Sequence, residues 1–221
     1  MRAIVTCGPS YEPVDAVRRL TNFSTGELGI LLTNALHGAG IEVICMKGAG
    51  ATCALPIEAR LVTTFTTNDH LRAKLERTAA RESIEAIFHT AALSDFRVKQ
   101  ISDADGAKIS GEKLCSGGGE LTLTLAPAPK LIDDLRSLFP AAFLVGWKYE
   151  LDGTSEDAIK KGVLQIARAK TDLCVVNGKA YGAGFGVLEP QKALVHCETK
   201  QRLCADLVAR CLARAHNAPV A

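Results

Sequence analysis

Arg18, Arg19 and Asn22 stand close together near the start of the chain and are followed at once by Ser24-Thr25-Gly26-Glu27. Two guanidinium groups, an amide and the start of a helix suit a phosphate or carboxylate: the helix end offers unpaired N–H groups and arginine a forked donor. The same residues admit a plainer reading, a surface loop in which Arg18 and Arg19 pair with Glu12 and Asp15. A further cation, Lys113, lies among Gly106, Gly111 and Gly117-Gly118-Gly119. It reads either as a charge on a glycine-hinged lid or as a solvated lysine on a disordered connection. Asp95, after Ala91-Ala92-Leu93-Ser94, reads on its own as a turn cap. His89 ends an apolar run and reads as a satisfied core histidine.

The elements that must position these groups alternate along the chain. Arg2 to Cys7 is an apolar, β-branched run that breaks at Gly8-Pro9-Ser10, a buried strand entering a loop. Ser24 to Glu27 has the spacing of a capping box, and Leu28, Leu31, Leu32 and Ala35 recur at helical intervals up to Gly38 and Gly40. Strands follow at Ile41–Met46, Arg60–Phe65, Ile84–His89, Ala142–Trp147, Asp172–Val176 and Lys192–Cys197, with a polar helix over 68–80. A helix opening at Thr154 is predicted to bury Ile159, Val163 and Ile166. The last helix presents Leu203, Leu207, Val208, Cys211 and Leu212 on one face and leaves Arg202, Arg210 and Arg214 in water. The expectation is an α/β, Rossmann-like fold in one domain over residues 1–221, with a mostly parallel sheet, helices on both faces and a flexible Gly-rich lid loop between Phe96 and Leu121. In such a sheet the loops after Cys7, His89, Trp147 and Val176 surround one crevice.

Composition narrows the function classes. Lys+Arg 26 against Asp+Glu 24 gives a formal charge of +2, too balanced for a nucleic-acid surface or an anionic membrane. No apolar run reaches the ~20 residues of a membrane span, and the chain opens on a strand without a leader pattern. The eight cysteines form no C-x-x-C pair and read as buried thiols of a reducing compartment, which predicts a cytoplasmic protein. The first loop lacks both G-x-G-x-x-G and the P-loop spacing, so a dinucleotide or Walker-type site is disfavoured.

The string CGPSYEPVDAVRRLTNFSTGELG resembles the opening signature of the phosphopantothenoylcysteine synthetases, Gly-Gly-Thr-x-Glu-Pro-[Ile/Leu]-Asp-x-Val-Arg followed by Asn-x-Ser-[Ser/Thr]-Gly-x-[Met/Leu]-Gly. His89-Thr-Ala-Ala-Leu-Ser-Asp-Phe96 is similar to that family's second signature. Glu112 to Leu125 is similar to its lysine loop and following strand. Pro129, the stretch Val145 to Glu150 and Val176-Asn177 continue the match in order. Departures are Cys7-Gly8-Pro9-Ser10 for Gly-Gly-Thr, Gly178 for the usual Asp, and Trp147 where bacterial members have Phe.

The resemblance implies a ligase joining phosphopantothenate to cysteine through an acyl nucleotide in coenzyme A biosynthesis, with Mg2+ and either CTP or ATP. It assigns Asn22 to the intermediate, as a neutral donor or orienting group, Arg18 to the substrate's anionic end, and Lys113 to the triphosphate. Lys108 competes for that last role, and the distance to Leu121 favours Lys113. Gly8, Ser24, Ala91, Ala92, Asp95, Trp147, Lys148 and Glu150 would contact the nucleotide, Asp95 by accepting from the base. The resemblance further implies a homodimer and, since the flavin-dependent half of fused relatives is not in this sequence, no bound flavin. A nicotinamide-dependent oxidoreductase and a catalytically silent nucleotide-binding relative are the competing classes.

Overall fold

A computed structural model describes residues 1–115, 117 and 119–216; Ser116 and Gly118 of the glycine-rich stretch and the residues after 216 lie outside it. Strand β1 (Arg2–Cys7) occupies the middle of an eight-stranded sheet. On one side it pairs in parallel with β4 (Glu42–Gly48), which pairs with β5 (Leu61–Phe65). On the other side come β6 (Ala86–His89), β9 (Phe143–Tyr149) and β10 (Leu173–Asn177), also parallel. Two antiparallel strands, β11 (Phe185–Leu188) and β12 (Val195–Cys197), close that edge. The chain leaves β1 toward β4 and β5, then crosses back to β6, so the loops after β1 and β6 part at a topological switch point, where open α/β sheets bind ligands.

Helices cover both faces, as the sequence predicts. α1 (Glu27–Gly38) and α5 (Lys200–His216) share one face, where Leu32, Leu36, Leu203, Leu207 and Cys211 pack on Val5, Phe88, Val145 and Val175. On the other, α2 (Asn68–Ala79) and α3 (Leu135–Leu138) pack on Ile4, Ile44, Ile87 and Leu144, and α4 (Ser155–Ala169) lies over Cys174, Val176 and Leu188. Each fully buried Leu, Ile, Val or Phe contributes roughly 1.5–3 kcal/mol relative to an exposed one, which is why the central strands are continuously apolar. No helix among the described residues is long and apolar enough to cross a membrane.

Several sequence expectations are corrected. The predicted loop does not begin at Phe96: β7 (Phe96–Ser102) and β8 (Thr122–Pro127) form an antiparallel ribbon. The stretch from Gly8 to Gly26, expected as one loop, contains a second ribbon, β2 (Tyr11–Pro13) with β3 (Arg19–Thr21). Ser24 does not cap α1. The cap is Gly26 in a left-handed conformation, and Thr25 Oγ1 accepts from the Glu27 N–H at 3.3 Å. The true capping box is at Thr154 with Asp157. Val163 of α4 is 52% exposed, because Ala158, Gly162, Gln165 and Ala169 form the buried stripe. Arg214 is exposed as expected, though it meets Asp172 at 3.1 Å, whereas Arg210 is half-buried between Glu189 and Asp206, both at 2.6 Å. Of the eight thiols, six are buried, Cys53 is half-buried and Cys115 is exposed.

Candidate active site

The loops after β1 and β6 are fastened to each other. Ala92 N–H donates to Gly8 O at 3.0 Å, Ser10 N–H to Ala92 O at 3.2 Å, and Ser94 N–H to Ser10 Oγ at 2.8 Å. Asn22 Nδ2 then reaches across to two carbonyls, Ala92 at 3.1 Å and Leu93 at 3.0 Å. Both amide hydrogens of Asn22 are thereby engaged, so in this state it holds the Ala92-Leu93 backbone and is not a free donor. Gly8 lets the segment after β4 press on the first loop, and Gly29 lets α1 press on the ends of β1 and β6. Gly8 has φ +77° and a side chain there would meet Ala51 Cβ at 2.6 Å; one at Gly29 would meet Cys7 Cβ at 2.3 Å, so α1 sits directly on the end of β1.

Beneath the loops, His89 is buried and shares a hydrogen bond with Thr6 Oγ1 at 2.8 Å. Burial holds its imidazole down to about 4, well under the usual value near 6.5. It is the satisfied core histidine that the sequence predicts.

The Lys113 segment is docked on the first loop. Ala16 N–H donates to Glu112 O at 2.8 Å, Leu114 N–H donates to Asp15 Oδ2 at 3.1 Å, and Arg18 donates to Leu114 O from Nη1 and Nη2 at 3.2 and 3.3 Å. Arg18 also pairs with Asp15 at 2.8 Å, as the plainer sequence reading has it, whereas Arg19 lies over the Tyr11 ring at 4.9 Å. The Asp15 side chain is shielded from solvent. Burial pushes its carboxyl up, but N–H groups of Leu114, Val17 and Arg18 and the Arg18 charge outweigh that and hold it below the usual carboxylate range. Leu114 is buried while Lys113 beside it is exposed. Lys108 is also exposed, in the turn where Ser102 bridges to Lys108.

The remaining predicted nucleotide contacts are dispersed around this centre. Asp95 is largely exposed and 3.8 Å from Lys130. Trp147 packs with the α1 and α5 side of the sheet, and its indole N–H has no partner there. Lys148 meets Glu150 at 3.2 Å, and Lys161 of α4 pairs with the same carboxylate. Burial raises the Glu150 carboxyl, yet the two lysines hold it below its usual range. Lys148 and Glu150 therefore form a charge cluster with Lys161 of α4.

A crevice of about 200 Å3 opens at the start of α1, lined by Ser24, Thr25, Gly26, Glu27, Thr90, Asn177 and Lys200 among others. Lys200 was missed from the sequence, although a lysine opening a helix is an unfavourable placement that flags it. A larger cavity of about 440 Å3 lies at the opposite ends of the strands, around Asp172, Glu189, Arg210 and Arg214, whose charges pair with one another. The crevice at α1 is the better candidate, because the start of α1, Thr90 after β6 and Asn177 at the end of β10 meet there at the carboxyl ends of the strands. Among the described residues no group of three His, Cys, Asp or Glu side chains is placed to hold a metal ion.

The arrangement defines a Rossmann-like α/β protein with a crevice at the carboxyl ends of its strands. The DNA/pantothenate metabolism flavoprotein C-terminal domain matches residues 1–214, and the chain belongs to that family. The coenzyme A biosynthesis bifunctional protein CoaBC of Thermococcus kodakarensis is 32% identical over 183 residues, 82% of this chain and 42% of that protein. The chain spans about half the length of the curated relatives it matches, 42%, 59% and 42% of three of them. The DNA/pantothenate metabolism flavoprotein from Streptococcus pneumoniae superposes with a TM-score of 0.83 at 23% identity over 97% of this chain and 99% of that one. A Cab2 variant solved in complex with phosphopantothenate-cysteine superposes at 0.74 with 18% identity, covering 98% and 89%. These two likenesses establish the fold.

Proposed function

We propose that this chain is a ligase that condenses phosphopantothenate with cysteine, using CTP or ATP to activate the carboxylate. The observation that carries the reading is that the first loop of a chain of this family bonds through Asn22 to the Ala92-Leu93 backbone and through Asp15 and Arg18 to the segment beside Lys113. The coenzyme A role of the relatives and the ligand of the Cab2 variant support it.

The chemistry has two steps. A carboxylate oxygen of phosphopantothenate attacks the α-phosphorus and expels pyrophosphate. The cysteine amine then attacks the acyl carbon and the nucleoside monophosphate leaves. The first step brings an anion to a polyanion, so a cation arriving over the phosphates lowers its barrier; exposed Lys113 beside its anchored neighbours fits that need. Magnesium would enter as the counter-ion of the nucleotide, as part of the substrate. Asn22 orients the acyl intermediate by fixing the Ala92-Leu93 backbone, and Ala91, Ala92 and Asp95 face the nucleotide. Gly8 and Ser24 belong to the phosphate side. Arg18 sets the position of the lid and with it the anionic end of the substrate. Val17, Leu20 and Phe23, exposed next to Asn22, are an apolar surface that a second copy would cover in the homodimer.

Incubation with phosphopantothenate, cysteine and CTP or ATP tests the proposal. It requires pyrophosphate and nucleoside monophosphate in step with amide formation. Oxidation or reduction of a nicotinamide cofactor would point to an oxidoreductase, and binding without turnover to a silent relative.

A further inference from the structure

Glu27 and Lys200 lie 173 positions apart in the chain, and their side chains meet at 2.5 Å on the wall of the α1 crevice. Lys200 runs against its local electrostatics. It opens α5, whose first turn carries no acidic group, and a cation there faces the positive end of the helix. Glu27, in the first turn of α1, is the residue type that position favours. Local rules broken in this way are expected where a residue serves a site. Both side chains are about two-fifths exposed, so the pair contributes little to stability and exchanges partners readily.

We propose that Lys200 is a further anion-binding residue of this crevice, resting on Glu27 until a phosphate group enters and then transferring its ammonium to that phosphate. The inference rests on the ligase reading, which supplies phosphate-bearing ligands. The cavity of about 200 Å3 suits a phosphate group more than a whole nucleotide, and its walls offer the hydroxyls of Ser24 and Thr25 and the amide of Asn177, the Thr90 hydroxyl being spent on Thr6 O. Phosphate on the nucleotide and phosphate on phosphopantothenate share this chemistry. Glu27 opposes the incoming anion and competes for the lysine, so its removal should strengthen binding.

That opposite sign makes the test specific. Titration calorimetry of the parent, Lys200→Met, Lys200→Arg and Glu27→Gln is run with inorganic pyrophosphate, CTP, ATP and phosphopantothenate, beside thermal midpoints. Lys200→Met should weaken a phosphate ligand by about tenfold, one charged hydrogen bond, with little change of midpoint. Lys200→Arg should restore most of the affinity, and Glu27→Gln should tighten it. Loss confined to pyrophosphate and the nucleotides places the triphosphate there; loss confined to phosphopantothenate places its phosphate there. Unchanged affinity in Lys200→Met, or weakening in Glu27→Gln, would overturn the inference and leave the pair as a brace. If Lys200→Met fails to fold, the arginine and Glu27 variants decide. A parent protein that binds none of the probes would sink both this inference and the ligase reading, whereas a binding parent with indifferent variants sinks only this one.

Discussion

Arg18 donates from both terminal guanidinium nitrogens to the carbonyl of Leu114, at 3.2 and 3.3 Å, and Leu114 directly follows Lys113. The lysine that the resemblance assigns to the triphosphate is thus held by the first loop through its neighbours, with Asp15 accepting from Leu114 N–H on the same side. This clasp joins two segments that the sequence presents as separate functional units.

Asp15→Ala should release the clasp. Losing an acceptor of several hydrogen bonds frees Arg18 and Leu114 together, and tryptic cleavage after Lys113 should accelerate by about tenfold, with nucleotide and phosphopantothenate restoring protection. Cleavage at the parental rate would show that the segment is held by something else.

Lys113→Gln should slow pyrophosphate release on the order of a hundredfold, about 3 kcal/mol of barrier, while leaving the thermal midpoint nearly unchanged. Lys108→Gln removes the same charge from the turn beside Ser102 and should release pyrophosphate at the parental rate. The reverse pattern moves the role to Lys108, and two active variants would remove the lid from the mechanism.

The parallel core was legible because its strands are continuous apolar runs ended by polar or glycine-rich loops, as Arg2 to Gly8 shows. The ribbons were not. Arg19 to Thr21 is exposed throughout, and in Phe96 to Ser102 the alternation of Phe96 and Val98 breaks at Gln100, where the ladder shifts register. The capping box at Ser24 failed because Gly26, with its left-handed backbone, already ends the loop. Asn22, Arg18 and Lys113 were found through a motif, but their bonds to Ala92, Leu93 and Leu114 depend on the fold. Sequence spacing cannot show that Lys200 meets Glu27.

His89 makes a pH prediction. Its folded value of about 4 lies below the unfolded value near 6.5, so the unfolded chain binds the extra proton between them. The corresponding stability, about 3 kcal/mol, is present above pH ~6.5 and is lost as the pH falls toward 4. His89→Gln should show a shallower loss of urea midpoint over that interval, and parallel curves would mean that His89 does not titrate as its burial requires.

The acyl nucleotide is tested most directly by the fate of one oxygen atom. Phosphopantothenate labelled with 18O in its carboxylate is turned over with cysteine and CTP or ATP, and the products are weighed by mass spectrometry. Attack of the carboxylate on the α-phosphorus leaves one labelled oxygen on the nucleoside monophosphate after the amide has formed, with pyrophosphate unlabelled. Label in inorganic phosphate beside a nucleoside diphosphate, or amide formed with no label in any phosphate product, would contradict the account.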